Sequence, residues 1–432
     1  MSSLRPFPFF QGDSLSDLFA QDIQADRDAL ILNYPGTAKW AAYPNTQKYF
    51  LQDGSSEATK TSFDKICQKE PWKNLAVLGD RLPGIVIISP PALLVQSWRD
   101  QFDFQDCQVE MMDCSTYLDD LNEGEQYDRI FTLFPFDHLR PEKHAIDPDS
   151  HYRLLSKATP AELGVSCPNY QTYHLAQTSL DQIKLPVEFP YLIKTSHGLS
   201  GEGTYIIRNN SDLNYCLEEI KKYLKINLLQ TIIVSEFVQH EVHNYCIQFY
   251  VSKQGKIALI GVTQQLVSST GNYLGGLIDY HNDLSQFWEI IATVGNYAHE
   301  QGYFGVIGVD ILEDRDGLLY AIDANFRING STPLCLQRHE LLKLDKAFSA
   351  KRNSEGTAKY SSDYRMEGTL DPILTALKSE LERKDFLILS LLDEVTYAEI
   401  YTEIYGIVTG ATPKEMQQIE QRLHDKGLKL TG

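Results

Sequence analysis

Residues 302–333 read GYFGVIGVDILEDRDGLLYAIDANFRINGSTP, and the rest of the chain is organised around this segment. Two apolar runs, 304–312 and 318–328, flank a polar turn, and the first run carries a single acid, Asp310. The second run alternates apolar residues with three polar ones, Asp323, Asn325 and Arg327. A period of two predicts a β-strand with one buried face and one polar face.

The dipeptide Asp316-Gly317 between the two runs predicts a two-residue β-hairpin turn. With the turn at that place, Asp310 lies directly opposite Asp323 on the same face of the hairpin. Their Cα atoms are then about 5 Å apart. The sequence therefore predicts two carboxylates and an amide that converge on one face of two neighbouring strands.

Carboxylates this close repel each other unless a cation lies between them. Oxygen ligands suit a hard ion, above all Mg²⁺, which binds few protein ligands and completes its shell with phosphate and water. Arg327 adds a planar cation that can hold a carboxylate or phosphate through two hydrogen bonds. The alternative is a surface hairpin with solvated polar residues. The apolar run around Asp310 counts against it, because a lone acid there is costly without a partner.

Length and composition set the broad class of protein. The 432 residues predict two or three domains, and 43% hydrophobic with 22% charged residues is typical of a globular protein. The net charge of −19 counts against a nucleic-acid partner. Seven scattered cysteines without a CxxC pair favour reduced thiols. The chain shows no signal-peptide pattern and no apolar run of membrane-spanning length, so we expect a cytoplasmic protein without a membrane partner.

Residues 1–150 alternate apolar runs with helical segments, which predicts an open α/β domain. The apolar runs are 29–32, 75–78, 85–89, 108–112 and 130–133, and the helical segments include 59–69 and 91–102. Asp137, His138 and His144 could act in catalysis, but scattered polar residues of this kind are usually solvated.

A glycine-rich hairpin is predicted at 189–209, where strand 191–195 leads into glycines 198, 201 and 203 and then strand 204–208. Such a loop lets backbone amides approach phosphates, and Lys194 just before it is placed to meet one. It is not a Walker loop, which needs a helix and a GK[ST] ending. A mobile hairpin is the alternative. Lys157, in a predicted short helix ending near Gly164, would by itself be a surface lysine.

Further along, strands 231–238 and 244–252 are predicted on either side of a polar connection that contains Glu236 and His240. Residues 264–280 read as a flexible polar loop of the kind that selects substrates, and helix 285–298 follows. A helix at 334–346, a loop at 350–362, helix 371–383, strand 386–392 and helix 413–426 complete the chain.

Taken in order, these motifs resemble the ATP-grasp superfamily, in which two lobes clamp ATP between antiparallel sheets. Lys157, seven residues before Gly164, and Lys194 resemble its two ATP-binding lysines. The resemblance implies further ATP contacts from Ser200, Gly201 and Gly203, an adenine-reading hinge at Glu236, Phe237 and Val238, and a ribose contact from Glu241 or Asn244, which stays open. It also implies metal ligation by Asp310, Asp323 and Asn325.

Two departures from the superfamily pattern are informative. Asp323 stands where a glutamate is common, and Gly308 stands where some ligases have an arginine two residues before the first metal acid. Arg327 is instead similar to the N-x-R form of peptide and amino-acid ligases. The resemblance covers about 150–335.

The implied fold class is α/β, with an α+β ATP-grasp unit. It divides the chain into an N-terminal α/β domain at 1–150, a small lid lobe at 151–240, a large catalytic lobe at 241–345 and a C-terminal αβ extension at 346–432.

The resemblance implies an ATP-dependent carboxylate–amine ligase that forms an amide through an acylphosphate, with Mg²⁺ (or Mn²⁺) as the metal. Lys194 and Arg327 would be the catalytic residues, small-molecule acids and amines the partners, and closure of the glycine loop would exclude water. A homodimer is expected by family analogy. Two alternatives are an ATP-grasp kinase acting on a hydroxyl and a non-catalytic nucleotide-binding module. The net acidity counts against the first, and the complete lysine and metal-ligand set against the second.

Overall fold

The computed structural model describes most of the chain. The described residues are 7–24, 27–33, 48–49, 69–101, 109–112, 116–198, 201, 203–225, 231–239, 241–268, 273–279, 284–338, 341, 357–395 and 400–430. The described residues leave out 59–68 of the predicted helix at 59–69, most of the predicted helix at 334–346, and Ser200 and His240.

The N-terminal part is a parallel sheet of four strands in the order β3-β2-β1-β4. Its strands are β1 (Asp28–Ile31), β2 (Gly84–Val86), β3 (Val109–Met111) and β4 (Arg129–Thr132). The helices of this part are α1 (Leu15–Phe19), α2 (Glu70–Leu75), α3 (Ala92–Gln101), α4 (Tyr117–Glu123) and α5 (Pro148–Leu154). Strand–helix alternation in the sequence therefore predicts this sheet, except that the apolar run 75–78 begins with the last residue of α2 and is not a strand.

The small lobe is an antiparallel sheet of four strands in the order β5-β8-β6-β7. Its elements are β5 (Tyr170–His174), β6 (Tyr191–Thr195), β7 (Thr204–Ile207), helix α6 (Asn210–Lys225) and β8 (Thr231–Glu236). Its buried residues, among them Tyr191, Ile193, Ile220 and Val234, form a hydrophobic cluster separate from the main core. The small lobe is thus a packing unit of its own.

The large sheet has nine strands in the order β13-β12-β9-β10-β11-β14-β16-β15, with β17 paired to β14. Its first five strands are β9 (Glu241–Val251), β10 (Ile257–Val267), β11 (Tyr273–Asp279), β12 (Gly305–Asp314) and β13 (Leu319–Asn325). The C-terminal strands β14 (Thr357–Glu367), β15 (Phe386–Val395), β16 (Ile400–Gly410) and β17 (Lys429–Leu430) continue the same sheet. Four helices accompany it: α7 (Trp288–Glu300), α8 (Thr332–Leu336), α9 (Leu370–Glu382) and α10 (Pro413–Asp425).

One hydrophobic core joins the N-terminal part to the large sheet. The amphipathic helix α7 supplies Ile291, Val294 and Ala298 to it, as its 3.6-residue spacing of apolar residues requires. Trp98 of α3 is fully buried, and its indole N–H donates to the carbonyl of Leu389 in β15 at 3.0 Å. No helix within the described residues has the length and apolarity needed to cross a bilayer.

In the β12–β13 hairpin the two acids pair as predicted, but the turn differs from the predicted one and a β-bulge compensates for the difference. The amide of Asp314 donates to the carbonyl of Leu318 at 3.0 Å, so the tip is a three-residue loop, 315–317, and the two-residue turn is wrong. A β-bulge then removes the one-residue offset, because Asp310 pairs with Asp323 while Ile311 pairs with Ala321. Ile322 is the extra residue. Asp310 is therefore opposite Asp323, as predicted, and Gly308 is opposite Asn325.

Three other expectations need correction. Most of the predicted loop 264–280 belongs to the strands β10 and β11, which pair directly. Residues 357–362 of the predicted loop 350–362 belong to β14, which pairs with β11 and β16. Lys157 lies outside the short helix, between α5 and the 3₁₀ turn Thr159–Glu162.

Candidate active site

The candidate metal ligands lie on the edge strand of the large sheet and its neighbour. Asp310 of β12 is directly opposite Asp323 of β13, and Asn325 follows two residues later on the same face. The side-chain amide of Asn325 donates to Asp310 Oδ2 at 3.3 Å. The structure thus brings all three predicted ligands together.

Electrostatics at the acid pair fit a cation site. Burial, and secondly the charge of Asp323, raise the pKa of Asp310 to about 7. A carboxyl that loses its proton with such difficulty is stabilised in its charged form by a cation. Among the described residues no three His, Cys, Asp or Glu side chains are grouped as a metal site. Two acids and one amide oxygen still suit Mg²⁺, which leaves most of its shell to phosphate and water.

Lys194, the last residue but one of β6, reaches from the small lobe to this hairpin. Its Nζ donates to the carbonyl of Ile322 at 3.2 Å. Ile322 is the bulge residue, so its carbonyl is outside the regular strand ladder and can accept from another lobe. Burial lowers the pKa of Lys194, and Asp323 and Asp310 partly offset this by raising it. The buried ammonium thus faces both acids.

Lys157 lies near the base of the glycine-rich hairpin. Its Nζ donates to Thr204 Oγ1 at 2.7 Å, and its backbone amide donates to the carbonyl of Ser196 at 2.8 Å. Its side chain is almost fully buried, unlike that of a surface lysine. Of the glycines in the loop, Gly201 and Gly203 both have positive φ, at 94° and 71°, so these positions favour glycine.

The predicted hinge connects the two sheets. Glu236 ends β8 of the small lobe, and Glu241 begins β9 of the large sheet, so Phe237 and Val238 lie in the connection. The carboxylate of Glu236 accepts from the side-chain amide of Asn169 at 3.0 Å. The role of this hinge in adenine binding stays a prediction.

The open choice between Glu241 and Asn244 for ribose can be compared geometrically. Asn244 pairs with Leu312, two residues from Asp310, so its side chain is on the metal-bearing face. Its Oδ1 is buried and has no hydrogen-bond partner among the described residues. Glu241 pairs with Asp314 beyond a register shift and is exposed. These contacts favour Asn244, and the assignment stays a prediction.

Arg327 is held against the metal ligands and the N-terminal part. One Nη donates to Asn325 Oδ1 at 2.8 Å and the other to the carbonyl of Ile328 at 3.1 Å. The guanidinium lies 5.0 Å from the ring centroid of Phe134, which follows β4. Its Nε is buried and has no hydrogen-bond partner in the described part of the chain. This N–H is therefore a donor that the described part of the protein leaves for an anionic group.

Three residues at the site were missed by sequence reasoning. Gln265 Nε2 donates to Asp310 Oδ1 at 2.6 Å, and the buried Cys246 thiol also hydrogen-bonds that carboxylate. Asn329 Nδ2 contacts Cys246 Sγ at 3.6 Å and covers Gly308, where a Cβ would lie 2.0 Å from that nitrogen. The space that a side chain at 308 would need is therefore filled by Asn329. A glycine two residues before a metal acid was the only signal of this in the sequence.

Residues 168–325, which contain most of these elements, match the sequence model of the family described as "L-aspartate–L-methionine ligase, ATP grasp". The matched segment is 158 of the 432 residues and runs from just before β5 to the end of β13, so the likeness to an ATP-grasp ligase domain concerns this segment. A curated relative, the [butirosin acyl-carrier protein]–L-glutamate ligase of Niallia circulans, is 22% identical to this chain over 250 residues. The alignment covers 56% of this chain and 56% of that relative, so the chain matches little more than half the relative's length.

Solved structures extend the likeness to nearly the whole chain. The ADP complex of an N5-carboxyaminoimidazole ribonucleotide synthetase has a TM-score of 0.54 at 12% identity, covering 93% of this chain and 97% of that one. L-amino acid ligase from Bacillus licheniformis has a TM-score of 0.52 at 12% identity, covering 95% and 100%. N5-carboxyaminoimidazole synthetase from Staphylococcus aureus with ADP has 0.51 at 13%, covering 94% and 98%. At these identities the likeness concerns the fold, and the predicted fold class is confirmed.

Proposed function

We propose that this protein is an ATP-dependent carboxylate–amine ligase with at least one amino acid as substrate. The observation that carries the proposal is the meeting of opposite charges across the two lobes. Asp310 and Asp323 of the large sheet are opposed on the strand pair whose bulge carbonyl, at Ile322, accepts from Lys194 of the small lobe. The names of the matching family and of two relatives, which act on aspartate, methionine, glutamate or L-amino acids, support the substrate class.

The residues fit a nucleotide and a divalent ion in different ways. Asp310, Asp323 and Asn325 would hold Mg²⁺ or Mn²⁺, which supplies charge neutralisation at the phosphates. Lys157 and Lys194 would bind phosphate oxygens, together with the backbone amides of Gly201 and Gly203. Phe237 and Val238 would read adenine. Asn244, or Glu241, would contact ribose.

These residues would activate the substrate carboxylate, which is a poor electrophile. A carboxylate oxygen of the acid substrate attacks the γ-phosphorus, the bond to the β–γ bridging oxygen breaks, and ADP leaves. Arg327 would stabilise the transferring phosphoryl or orient the carboxylate through its buried Nε–H. The amine nitrogen then attacks the acyl carbon, loses a proton, and inorganic phosphate departs. The catalytic roles of Lys194 and Arg327, the cytoplasmic location and a homodimeric state are parts of this proposal.

An oxygen-transfer experiment tests the reaction. The protein is incubated with ATP, Mg²⁺ and pools of amino acids whose carboxylates carry ¹⁸O. In the proposed reaction one ¹⁸O passes from the acid to inorganic phosphate, and phosphate appears only when acid and amine are both present. Phosphate attached to a hydroxyl product, with no label in free phosphate, would establish a kinase instead.

A matched pair of variants assigns the reaction to the site. Asp323→Ala combined with Asn325→Ala should lower phosphate release by orders of magnitude while the fold survives. Asp316→Ala, which removes an exposed acid from the tip of the same hairpin, should leave it unchanged. Equal turnover in both variants would remove the acid pair from the mechanism.

A further inference from the structure

His197 is a buried residue to which neither the sequence patterns nor the proposed chemistry assigns a role. It lies two residues after the end of β6 and three residues after Lys194, and it is 7% exposed. Its ring stacks on Tyr152 with centroids 3.8 Å apart and planes 4° from parallel. The same partner accepts a hydrogen bond, because His197 Nε2 lies 2.8 Å from the carbonyl of Tyr152.

These contacts fix the tautomer of the ring. A carbonyl oxygen only accepts, so Nε2 carries the proton, and Nδ1 then accepts from the Ser196 hydroxyl at 2.9 Å. Burial lowers the pKa of His197 to about 4, which keeps the imidazole neutral at ordinary pH. The ring is a fixed connector between β6 and α5.

Helix α5 is itself attached to the metal-bearing strand pair. His151, next to Tyr152, donates from Nε2 to the carbonyl of Phe326 at 2.8 Å. Phe326 lies between Asn325 and Arg327. The helix therefore has the end of the metal strand on one side and the end of the lysine strand β6 on the other.

The second lysine belongs to the same connection. Lys157 follows α5 by three residues, and its backbone amide donates to the carbonyl of Ser196, next to His197. Its Nζ crosses to Thr204 at the start of β7. The segments that carry Lys157 and Lys194 are thus joined at 196–197, and both are joined through α5 to the strand of Asp323 and Asn325.

We propose that His197 is a positioning residue that sets the separation of Lys157 and Lys194 and their placement relative to the metal ligands. A flat ring with one N–H donor is needed, because one partner residue supplies both the stacking face and the acceptor. Phenylalanine keeps the stacking and loses the donor. Glutamine keeps a donor and loses the ring. Charged groups that bind phosphates act best when they are held in place before the ligand arrives.

The experiment measures the affinity of a non-hydrolysable ATP analogue with Mg²⁺ by calorimetry in the full chain. His197→Phe should weaken binding at least about fivefold, the scale of one lost buried hydrogen bond, and His197→Gln should recover part of the loss. The matched control is His174→Phe, an exposed histidine on β5 of the same lobe, which should bind as the wild type does. Wild-type affinity in His197→Phe would overturn the proposal.

Steady-state kinetics separate positioning from general stability. Looser lysines raise KM for ATP more than they lower kcat, whereas a smaller folded fraction lowers apparent kcat and leaves KM alone. If His197→Phe does not fold, His197→Gln carries the test, and an unchanged KM in that variant refutes positioning. The kinetic readout rests on the proposed ligase function, but analogue binding does not. Failure of the wild type to bind the analogue would refute the proposed function before any variant is measured.

Discussion

Replacement of Asp323 by asparagine should stabilise the metal-free protein while abolishing its function. Asp323 and Asp310 are directly opposed on neighbouring strands, and the charge of Asp323 is one cause of the raised pKa of Asp310. Asparagine has the same shape and keeps an oxygen, so packing is preserved. The variant removes the repulsion between the two carboxylates. It also removes one of the two negative charges that would bind a cation.

The size of the effect follows from the pKa. A rise from 3.8 to about 7 corresponds to roughly 4 kcal/mol between the two protonation states, at about 1.4 kcal/mol per pKa unit. Burial is the larger cause, and asparagine leaves it in place. Two charges about 5 Å apart interact with about 3 kcal/mol at an effective dielectric constant of about 20. Because Asp310 is partly exposed, we expect a gain of only about 1–2 kcal/mol.

The pH dependence of stability provides a second test of whether Asp323→Asn stabilises the metal-free protein. Asp310 has a higher pKa in the folded than in the unfolded chain, so the folded state binds more protons between about pH 4 and 7. The charged Asp310 carboxylate lowers the stability of the folded state by its full amount above pH 7. This destabilisation decreases as the pH falls through 7. The metal-free wild type should therefore gain stability from pH 8 to pH 6 relative to Asp323→Asn.

Thermal unfolding in EDTA measures both effects. Asp323→Asn should melt about 1–2 °C above the wild type at pH 8, and the difference should shrink by pH 6. Mg²⁺ with the ATP analogue should raise the melting temperature of the wild type and leave that of the variant nearly unchanged. Asp316→Asn, on the exposed hairpin tip, is the control. A variant that melts below the wild type at pH 8 without metal would refute the reasoning.

Three further predictions concern neighbours of the acid pair. Gly308→Ala should destabilise the chain by about 1–3 kcal/mol in urea, because the new Cβ meets Asn329 Nδ2, and Asn329→Gly should partly rescue it. Lys194→Met should weaken binding of the ATP analogue at least about tenfold by calorimetry, while the melting temperature changes little, since the side chain keeps its length. Gln265→Leu removes a hydrogen bond that lowers the pKa of Asp310, so the acid limb of the pH profile for Mg²⁺ activation should move to higher pH.

Local patterns in the sequence predict the metal-ligand and lysine residues of the site better than the residues that hold them in place. Alternation around Asp323 identified the strand, and the order of lysines and acids identified the fold. The opposition of Asp310 and Asp323 was correctly predicted, although the turn on which that prediction rested was wrong. The longer tip shifts the pairing of β12 with β13 by one residue, and the bulge at Ile322 shifts it back.

Residues that act through long-range contacts could not be predicted in this way. Gln265 is 45 residues from Asp310, and Lys194 is 128 residues from Ile322, so no spacing rule connects them. The glycines around 275 suggested a loop, but Gly276 lies in β11, where a Cβ would be 3.3 Å from Thr263 on the neighbouring strand. A glycine required by close packing looks the same in the sequence as one required by a turn.

The paired irregularities of the hairpin affect how related chains should be aligned. A relative with a two-residue tip and no extra residue at 322 would keep both acids face to face, though its second acid would be two positions nearer the first in sequence. An alignment that opens a one-residue gap at the tip and none at the bulge would then match the wrong residue to Asp323. Such a relative would also lack the carbonyl that receives Lys194, so its two lobes would need another contact at this point.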